Sequence, residues 1–328
     1  MLRLPPVTAS FPRTVEEALA QKVEHGLGAA FVAGGTDLYP NMKRRVQTPA
    51  HVIDIRRIPE LHRLEPLPDG TLVIGACVTL TELIRSESVR QGWPVIAEAA
   101  SVISTPLLQN MGTVGGNLLL DTRCNYYDQG YEWRKAINFC MKKDGDICWV
   151  APSSPRCWAV QSSDLVPVMI ALDASIQFEG PGGARTVRAR ELYLNDGIDY
   201  LAKQPDELLI SVEVPRLGGA RADYQKLRRR GSFDFPVLGV AVWVRTNGGD
   251  MVSDARIVIG AVGSAPVVSD EAAACLVGQE LSDETIAEAA RIAARPAKPL
   301  DNTDFTIGWR KDMVPVYVRR ALESLRQD

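Results

Sequence analysis

No apolar run in this sequence approaches the roughly 20 residues that a membrane-spanning helix needs. The longest, Val166 to Leu172, is far shorter. The opening stretch, Met1 to Thr14, holds three prolines and nothing like the apolar core of a secretory signal. An excess of charge of one sign is missing too: 37 Lys and Arg against 40 Asp and Glu leave a net charge of −3. Neither nucleic acid nor an anionic membrane is therefore expected as a partner. G-x-G-x-x-G and a P-loop with its lysine are absent, which disfavours a Rossmann-type or kinase-type nucleotide site. There is no internal repeat and no low-complexity tract. These absences point to a cytoplasmic chain, where thiols stay reduced and disulfides are not the default.

The 328 residues are enough for two or three cores. The N-terminal pattern alternates helix and strand. Thr14-Val15-Glu16-Glu17 reads as a capping box opening a helix to about His25. Ala30 to Ala33 and His51 to Asp54 read as strands, and a helix follows Gly34-Gly35-Thr36-Asp37 to about Arg45. Parallel strands with crossover helices are expected there. After Pro59, Arg63–Leu67 and Thr71–Gly75 flank Pro68-Asp69-Gly70, a hairpin signal. Thr79 to Glu82 is another capping box, Trp93 to Val102 is helical, and Leu208 to Val214 is a strand that ends at Pro215. Composition breaks at Leu217-Gly218-Gly219. Strands near Leu238–Arg245 and Ala255–Val262 follow, joined through Asn247-Gly248-Gly249-Asp250, and then helices at Asp283–Ala294 and Val314–Leu325. The second unit is expected to be α+β, from about residue 220 to the end.

Two glycine loops carry the first chemical signal. Ala33-Gly34-Gly35-Thr36-Asp37-Leu38 follows a strand and precedes a helix; its glycines let the backbone approach a ligand, and successive amides can form an anion-binding nest. Thr113-Val114-Gly115-Gly116-Asn117 has the same character, with a hydroxyl, glycine amides and a carboxamide. One such loop is commonly only a turn. Two, about 80 residues apart, fit a dinucleotide gripped from both sides. Asp164 precedes an apolar run and also reads as a helix cap; Lys226 lies in a basic run that also reads as a solvated face.

The second signal is cysteine. Four of six, Cys124, Cys140, Cys148 and Cys157, fall in the spacing x15, x7, x8. Cys77 and Cys275 sit apart among small apolar neighbours and read as buried hydrophobes. Structural zinc favours paired ligands two to four residues apart, and no gap here is that short. An iron–sulfur cluster needs four thiolates with looser spacing; ligand softness suits either metal. Residues 123–158 also hold Tyr126, Tyr127, Tyr131, Trp133, Phe139, Trp149 and Trp158, seven of the chain's 21 aromatics, a shell able to shield a cluster. Arg123, Arg134, Lys135, Lys142, Lys143 and Arg156 offer compensating charge or attraction for an acidic electron donor.

Taken together, the chain resembles the FAD-binding medium subunit of the molybdenum hydroxylase family, which includes the flavin subunits of carbon monoxide dehydrogenase and the flavin domain of xanthine dehydrogenase. The marks, in order, are Ala33 to Leu38, Thr113 to Asn117, Ser163-Asp164-Leu165, Glu207-Leu208-Leu209, and Tyr224-Gln225-Lys226 with Arg230 and Asp234. The resemblance implies an α+β fold: a PCMH-type FAD domain over residues 1–219, built of a small α/β and a larger α+β subdomain, then a C-terminal α+β domain over 220–328. It implies that Ala33, Gly34, Gly35, Thr36, Asp37, Leu38, Thr113, Gly115, Gly116 and Asn117 bind the FAD diphosphate region. Asp121 and Asp164 would bond ribityl or ribose hydroxyls, Leu209 would pack near the flavin ring, and Lys226 would lie close to it.

Most members lack the cysteine insert, here at about 122–159. The insert is similar to that of 4-hydroxybenzoyl-CoA reductases, in which it holds a [4Fe–4S] cluster. That implies Cys124, Cys140, Cys148 and Cys157 as cluster ligands and electron flow from ferredoxin through [4Fe–4S] and FAD to [2Fe–2S] centres and a molybdopterin cofactor. The latter two would lie on small and large partner subunits of a heterotrimer, itself paired, that reductively dehydroxylates an aryl-CoA. No side chain of this chain need be catalytic. The alternatives are a flavin subunit of a hydroxylase acting on another aromatic or heterocyclic compound, and a zinc-stabilised nucleotide-binding scaffold. Because the two centres use different loops, Cys140→Ser is expected to strip iron and leave much of the FAD bound.

Overall fold

The computed structural model describes residues 2–247 and 251–326. Gly248, Gly249 and Asp250 of the expected turn after Asn247 lie outside the described residues. Three sheets organise the chain. The first is parallel, in the order β1 (Thr8–Ser10), β3 (His51–Asp54), β2 (Ala29–Val32). Helix Val15–His25 crosses between β1 and β2, capped by Thr14, whose hydroxyl accepts from the Glu17 amide at 3.2 Å. Only half of the expected capping box forms there: the Glu17 carboxylate accepts from the Arg13 amide instead. At Thr79 both halves are present.

The second sheet is antiparallel, in the order β4 (Leu64–Pro66), β5 (Leu72–Gly75), β8 (Leu208–Val214), β6 (Ser175–Gly180), β7 (Gly183–Arg188). Strand β6 alternates half-buried and buried residues, the period-two signature of a sheet with one face on a core. Between β5 and β6 the chain forms short helices and then the cysteine insert. All of helix Leu165–Ala171 is buried, which explains its unbroken apolar sequence.

The third sheet is antiparallel, in the order β12 (Val267–Val268), β11 (Val252–Gly260), β10 (Leu238–Thr246), β9 (Arg221–Leu227). Strand β10 is apolar on both faces because both are covered. Val240, Val242 and Val244 enter the C-terminal core with helices Asp283–Ala293 and Ile307–Glu323, while Ala241 and Trp243 enter the N-terminal core. The last helix begins at Ile307, capped by Thr306, and runs through Pro315. The α+β class, with a small parallel unit, a larger antiparallel unit and a C-terminal antiparallel unit, is as the sequence predicts. Among the described residues no helix is long and apolar enough to cross a membrane.

Candidate functional site

A cleft of about 1000 Å³ runs between the parallel sheet and the antiparallel units. Ala33 to Leu38 form one wall. The amides of Gly34, Gly35, Thr36 and Asp37 donate to no acceptor among the described residues. Gly35 adopts φ +68°, the left-handed turn that lets neighbouring amides point the same way. A Cβ on Gly34 would lie 1.6 Å from the Met111 carbonyl oxygen, so the segment leading into the second loop closes directly on the first. Four successive unpaired amides on a cleft wall are a nest for an oxyanion group such as a diphosphate.

The second loop is built differently from its sequence reading. Thr113 caps a short helix, Val114–Leu118, and the amides that follow Thr113 in the loop are consumed. Gly115 donates to the Ala76 carbonyl at 2.9 Å, Gly116 to the Thr113 hydroxyl at 3.2 Å, and Asn117 to the Thr113 carbonyl at 2.9 Å. Exposed amides are therefore a property of the first loop only. Thr113, Gly115, Gly116 and Asn117 still line the cleft. Asn117 Oδ1 accepts from Ser163 Oγ at 2.6 Å and from the Leu165 amide at 3.3 Å, fixing the turn that presents Asp164.

Asp164 occupies the cap position of its helix but makes no capping bond. Its carboxylate accepts from Tyr224 Oη at 2.8 Å and from Lys226 Nζ at 3.0 Å, and Lys226 also donates to the Val102 carbonyl at 2.9 Å. Both charged side chains are 3% exposed. Burial lifts the Asp164 carboxyl above its usual range, with Lys226 opposing, and burial lowers the Lys226 ammonium, with Asp164 opposing. Asp164 lines the cleft and Lys226 stands behind it. Lys226 itself is thus not part of a solvated face, although Arg229 and Arg230 further along the basic run are exposed. Leu209, buried in β8 opposite Phe178, also lines the cleft.

Asp121 is buried on the cleft wall. It accepts from Lys142 Nζ at 2.8 Å, Tyr127 Oη at 2.7 Å and Gln47 Nε2 at 3.2 Å. Asp37 faces Arg123 at 3.1 Å; burial pushes its carboxyl up to about 6, with Arg123 opposing and Asp121 adding to the rise. The cleft also collects Tyr200, Lys203, Phe233 and Phe235, which the sequence did not single out. They come from connecting segments without a local pattern. Three cations already noted join them to the sequence signals: the Arg123 guanidinium lies 4.2 Å over the Phe235 ring, Arg230 5.8 Å over Phe233 and the Lys142 ammonium 5.1 Å over Tyr200.

Cys124, Cys140, Cys148 and Cys157 are all buried and line a second, small cavity with Tyr126, Tyr127, Met141, Lys142, Trp149, Val150 and Ala159. Burial pushes the Cys124 thiol up to about 12 and the Cys157 thiol up to about 11; mutual repulsion among the cysteines adds to both. Four thiolates in such a pocket require a multivalent cation to hold their charge. Among the described residues no three His, Cys, Asp or Glu side chains gather tightly enough to grip a single ion. A zinc ion needs each sulfur about 2.3 Å from one point, whereas a cluster presents separate irons to separate thiolates. Four buried sulfurs lining one cavity are a donor set whose softness suits either zinc or an iron–sulfur cluster. Cys77 is buried in the N-terminal core, and Cys275 packs against the C-terminal one.

This nest-and-cleft architecture belongs to a recognisable class of flavoprotein. Residues 6–217 match the FAD binding domain in molybdopterin dehydrogenase, and residues 222–325 match the CO dehydrogenase flavoprotein C-terminal domain. The chain belongs to the family of FAD-binding medium subunits of molybdenum hydroxylases. It is 30% identical to the carbon monoxide dehydrogenase medium chain of Hydrogenophaga pseudoflava, over 95% of this chain and 94% of that one. To the aldehyde oxidoreductase FAD-binding subunit PaoB of Escherichia coli it is 33% identical, over 73% and 76%. The solved Hydrogenophaga pseudoflava carbon monoxide dehydrogenase superposes with a TM-score of 0.80 at 29% identity, over 98% of this chain and 97% of that one.

Proposed function

We propose that this chain is the FAD- and iron–sulfur-carrying medium subunit of a molybdenum oxidoreductase. The observation that carries the reading is the gathering of four buried cysteines around one cavity whose Lys142 bonds to Asp121 on the wall of the cleft. When bound, FAD supplies one- and two-electron chemistry and a four-cysteine cluster supplies one-electron chemistry. The chain's own part is to bind and orient. Gly34 to Asp37 offer amides to the diphosphate, Thr113 and Asn117 shape the facing wall, and Asp121 and Asp164 offer carboxylate oxygens to hydroxyls. Leu209 backs the ring, with the Lys226–Asp164 pair beside it. Cys124, Cys140, Cys148 and Cys157 hold the cluster in an apolar, aromatic shell.

The substrate site lies on a large molybdenum subunit, with a small [2Fe–2S] subunit completing a heterotrimer that pairs. The insert supports the finer assignment, that the complex is of the 4-hydroxybenzoyl-CoA reductase type, located in the cytoplasm, taking electrons from ferredoxin and removing a phenolic hydroxyl from an aryl-CoA. A second reading, oxidation of a heterocyclic substrate, is favoured by relatives named nicotine 6-hydroxylase medium subunit and nicotinate dehydrogenase FAD-subunit, at 27% and 26% identity. Anaerobic purification with metal, sulfide and flavin analysis tests the core of the proposal. About four irons and one FAD per chain are expected, and zinc in place of iron refutes it. Reduction by ferredoxin followed by turnover of aryl-CoA thioesters, against turnover of N-heterocycles with an oxidant, separates the two reaction classes.

A further inference from the structure

The insert reaches out of its own cavity into the walls of the flavin cleft through three cations. Arg123 pairs with Asp37 at 3.1 Å, at the start of helix Leu38–Lys43. Arg134, with no exposed side-chain surface, donates to the Arg45 carbonyl at 3.0 Å and the Arg44 carbonyl at 3.4 Å, at the other end of that helix. Lys142 spends all three ammonium protons: on Asp121 Oδ1 at 2.8 Å, Thr122 Oγ1 at 2.7 Å and the Gly197 carbonyl at 2.6 Å. The Tyr127 and Tyr200 rings lie 4.7 and 5.1 Å from the Lys142 nitrogen. Lys142 lines the cysteine cavity, whereas its partner Asp121 and its neighbour Tyr200 line the cleft. Gly197 closes the circuit, since a Cβ on it would fall 2.7 Å from Cys157 Sγ.

We propose that Lys142 is a positioning residue common to both sites, and that through its bond to Asp121 the occupancy of the cysteine cavity sets the affinity of the cleft for FAD. The inference rests on the reading that the cavity takes a cluster and the cleft takes FAD. Lys142 sits two residues from Cys140, on a turn held by bonds from the Lys143 and Gly145 amides to the Cys140 carbonyl. A cluster tying Cys140 to three distant cysteines fixes that turn, and with it the ammonium against Asp121. Without the tie, Asp121 stays on the cleft wall as an uncompensated buried carboxylate, which opposes binding of an anionic ligand in the cleft. The linkage is reciprocal: bound FAD holds the metal more firmly. On this linkage the two sites are coupled across their loops, and Cys140→Ser is expected to weaken FAD binding where independent loops would spare it.

The test uses the complex, purified anaerobically and freed of FAD, with FAD affinity read from quenching of flavin fluorescence and iron measured on the same samples. Lys142→Met should retain iron and bind FAD roughly 5- to 150-fold more weakly, the span of ordinary coupling energies. Lys142→Arg should stay close to wild type. Asp121→Asn combined with Lys142→Met should recover affinity, because the stranded charge is gone. Cys140→Ser, lacking iron, should show a similar weakening, and adding Lys142→Met to it should cost little more. Full iron with unchanged FAD affinity in Lys142→Met overturns the inference, as does wild-type affinity in iron-free Cys140→Ser. A double variant no better than Lys142→Met reduces the residue to a structural prop and overturns it equally. Wild-type protein without iron removes the functional reading and this linkage together, an outcome visible in the metal analysis alone.

Discussion

Lys226→Met isolates the buried ion pair behind the cleft. The ammonium lies 3.0 Å from Asp164, and both side chains are 3% exposed. The substitution keeps most of the apolar stem but strands a carboxylate, with Tyr224 as its remaining close partner. Breaking a buried pair from one side costs about 3–5 kcal/mol, which is roughly 6–20 °C in melting temperature for a unit of 150–250 residues. The sign of the pH effect follows from Asp164. Its carboxyl is already raised by burial, and loss of Lys226 raises it further. The folded variant then keeps a proton that the unfolded chain gives up near 3.9, so its stability falls as pH rises above that value. The deficit against wild type should therefore shrink on acidification. Thermal melts of the FAD-free protein at pH 5 and pH 8, with Asp164→Asn/Lys226→Met alongside, measure all of this. A Lys226→Met protein as stable as wild type at pH 8, or a double variant no more stable than the single one, refutes the reasoning.

Gly34→Ala should abolish FAD retention, because the added methyl overlaps the Met111 carbonyl and the two walls must part; flavin content after gel filtration reads the loss. Asp37, raised to about 6, should protonate between pH 7 and pH 5 and remove a negative charge from the diphosphate loop. FAD affinity should rise over that interval and lose this rise in Asp37→Asn; parallel pH profiles would contradict it. The same shift predicts that FAD-free stability contributed by Asp37 falls as pH climbs from 3.8 to about 6, since only the folded state still holds the proton. Arg310→Met should cost at least about 3 kcal/mol. The fully buried guanidinium donates to the carbonyls of Val237, Leu300 and Ala261 and to Asn302 Oδ1; calorimetry of the variant checks it.

Much of the fold was legible because local patterns and packing agree. His51–Asp54 and Leu208–Val214 are strands at the bounds their apolar runs suggest, and the hairpin predicted at Pro68-Asp69-Gly70 joins β4 to β5. Strand β1 leaves no signal in the sequence because Thr-Ala-Ser has no apolar alternation; it is a short, partly exposed strand whose partner supplies the burial. The last helix starts at Ile307, earlier than the Val314 that its apolar pattern suggests, because Pro315 interrupts that pattern while Thr306 supplies the cap. Of the site, the glycines, Asp164 and the cysteines were visible as motifs. What the sequence could not convey was the fate of hydrogen-bond donors. Two glycine loops of like composition differ in that one spends its amides on Ala76 and Thr113 and the other leaves them free. Nor could it reveal that Lys142, 21 residues from Asp121, bridges two cavities.

The seam near residue 220, between residues 217 and 222 where the two family models meet, is not a mechanical boundary. Tyr224 and Lys226 satisfy Asp164 from beyond it, and Ala241 and Trp243 fill the first core. From further still, Asn302 donates to the Trp158 carbonyl and accepts from the Asn125 amide, gripping the insert on both flanks of its cysteine-bearing ends. A chain cut at 219 would thus forfeit the rear wall of one chamber and the latch of the other, so neither half is expected to survive alone as a working flavoprotein.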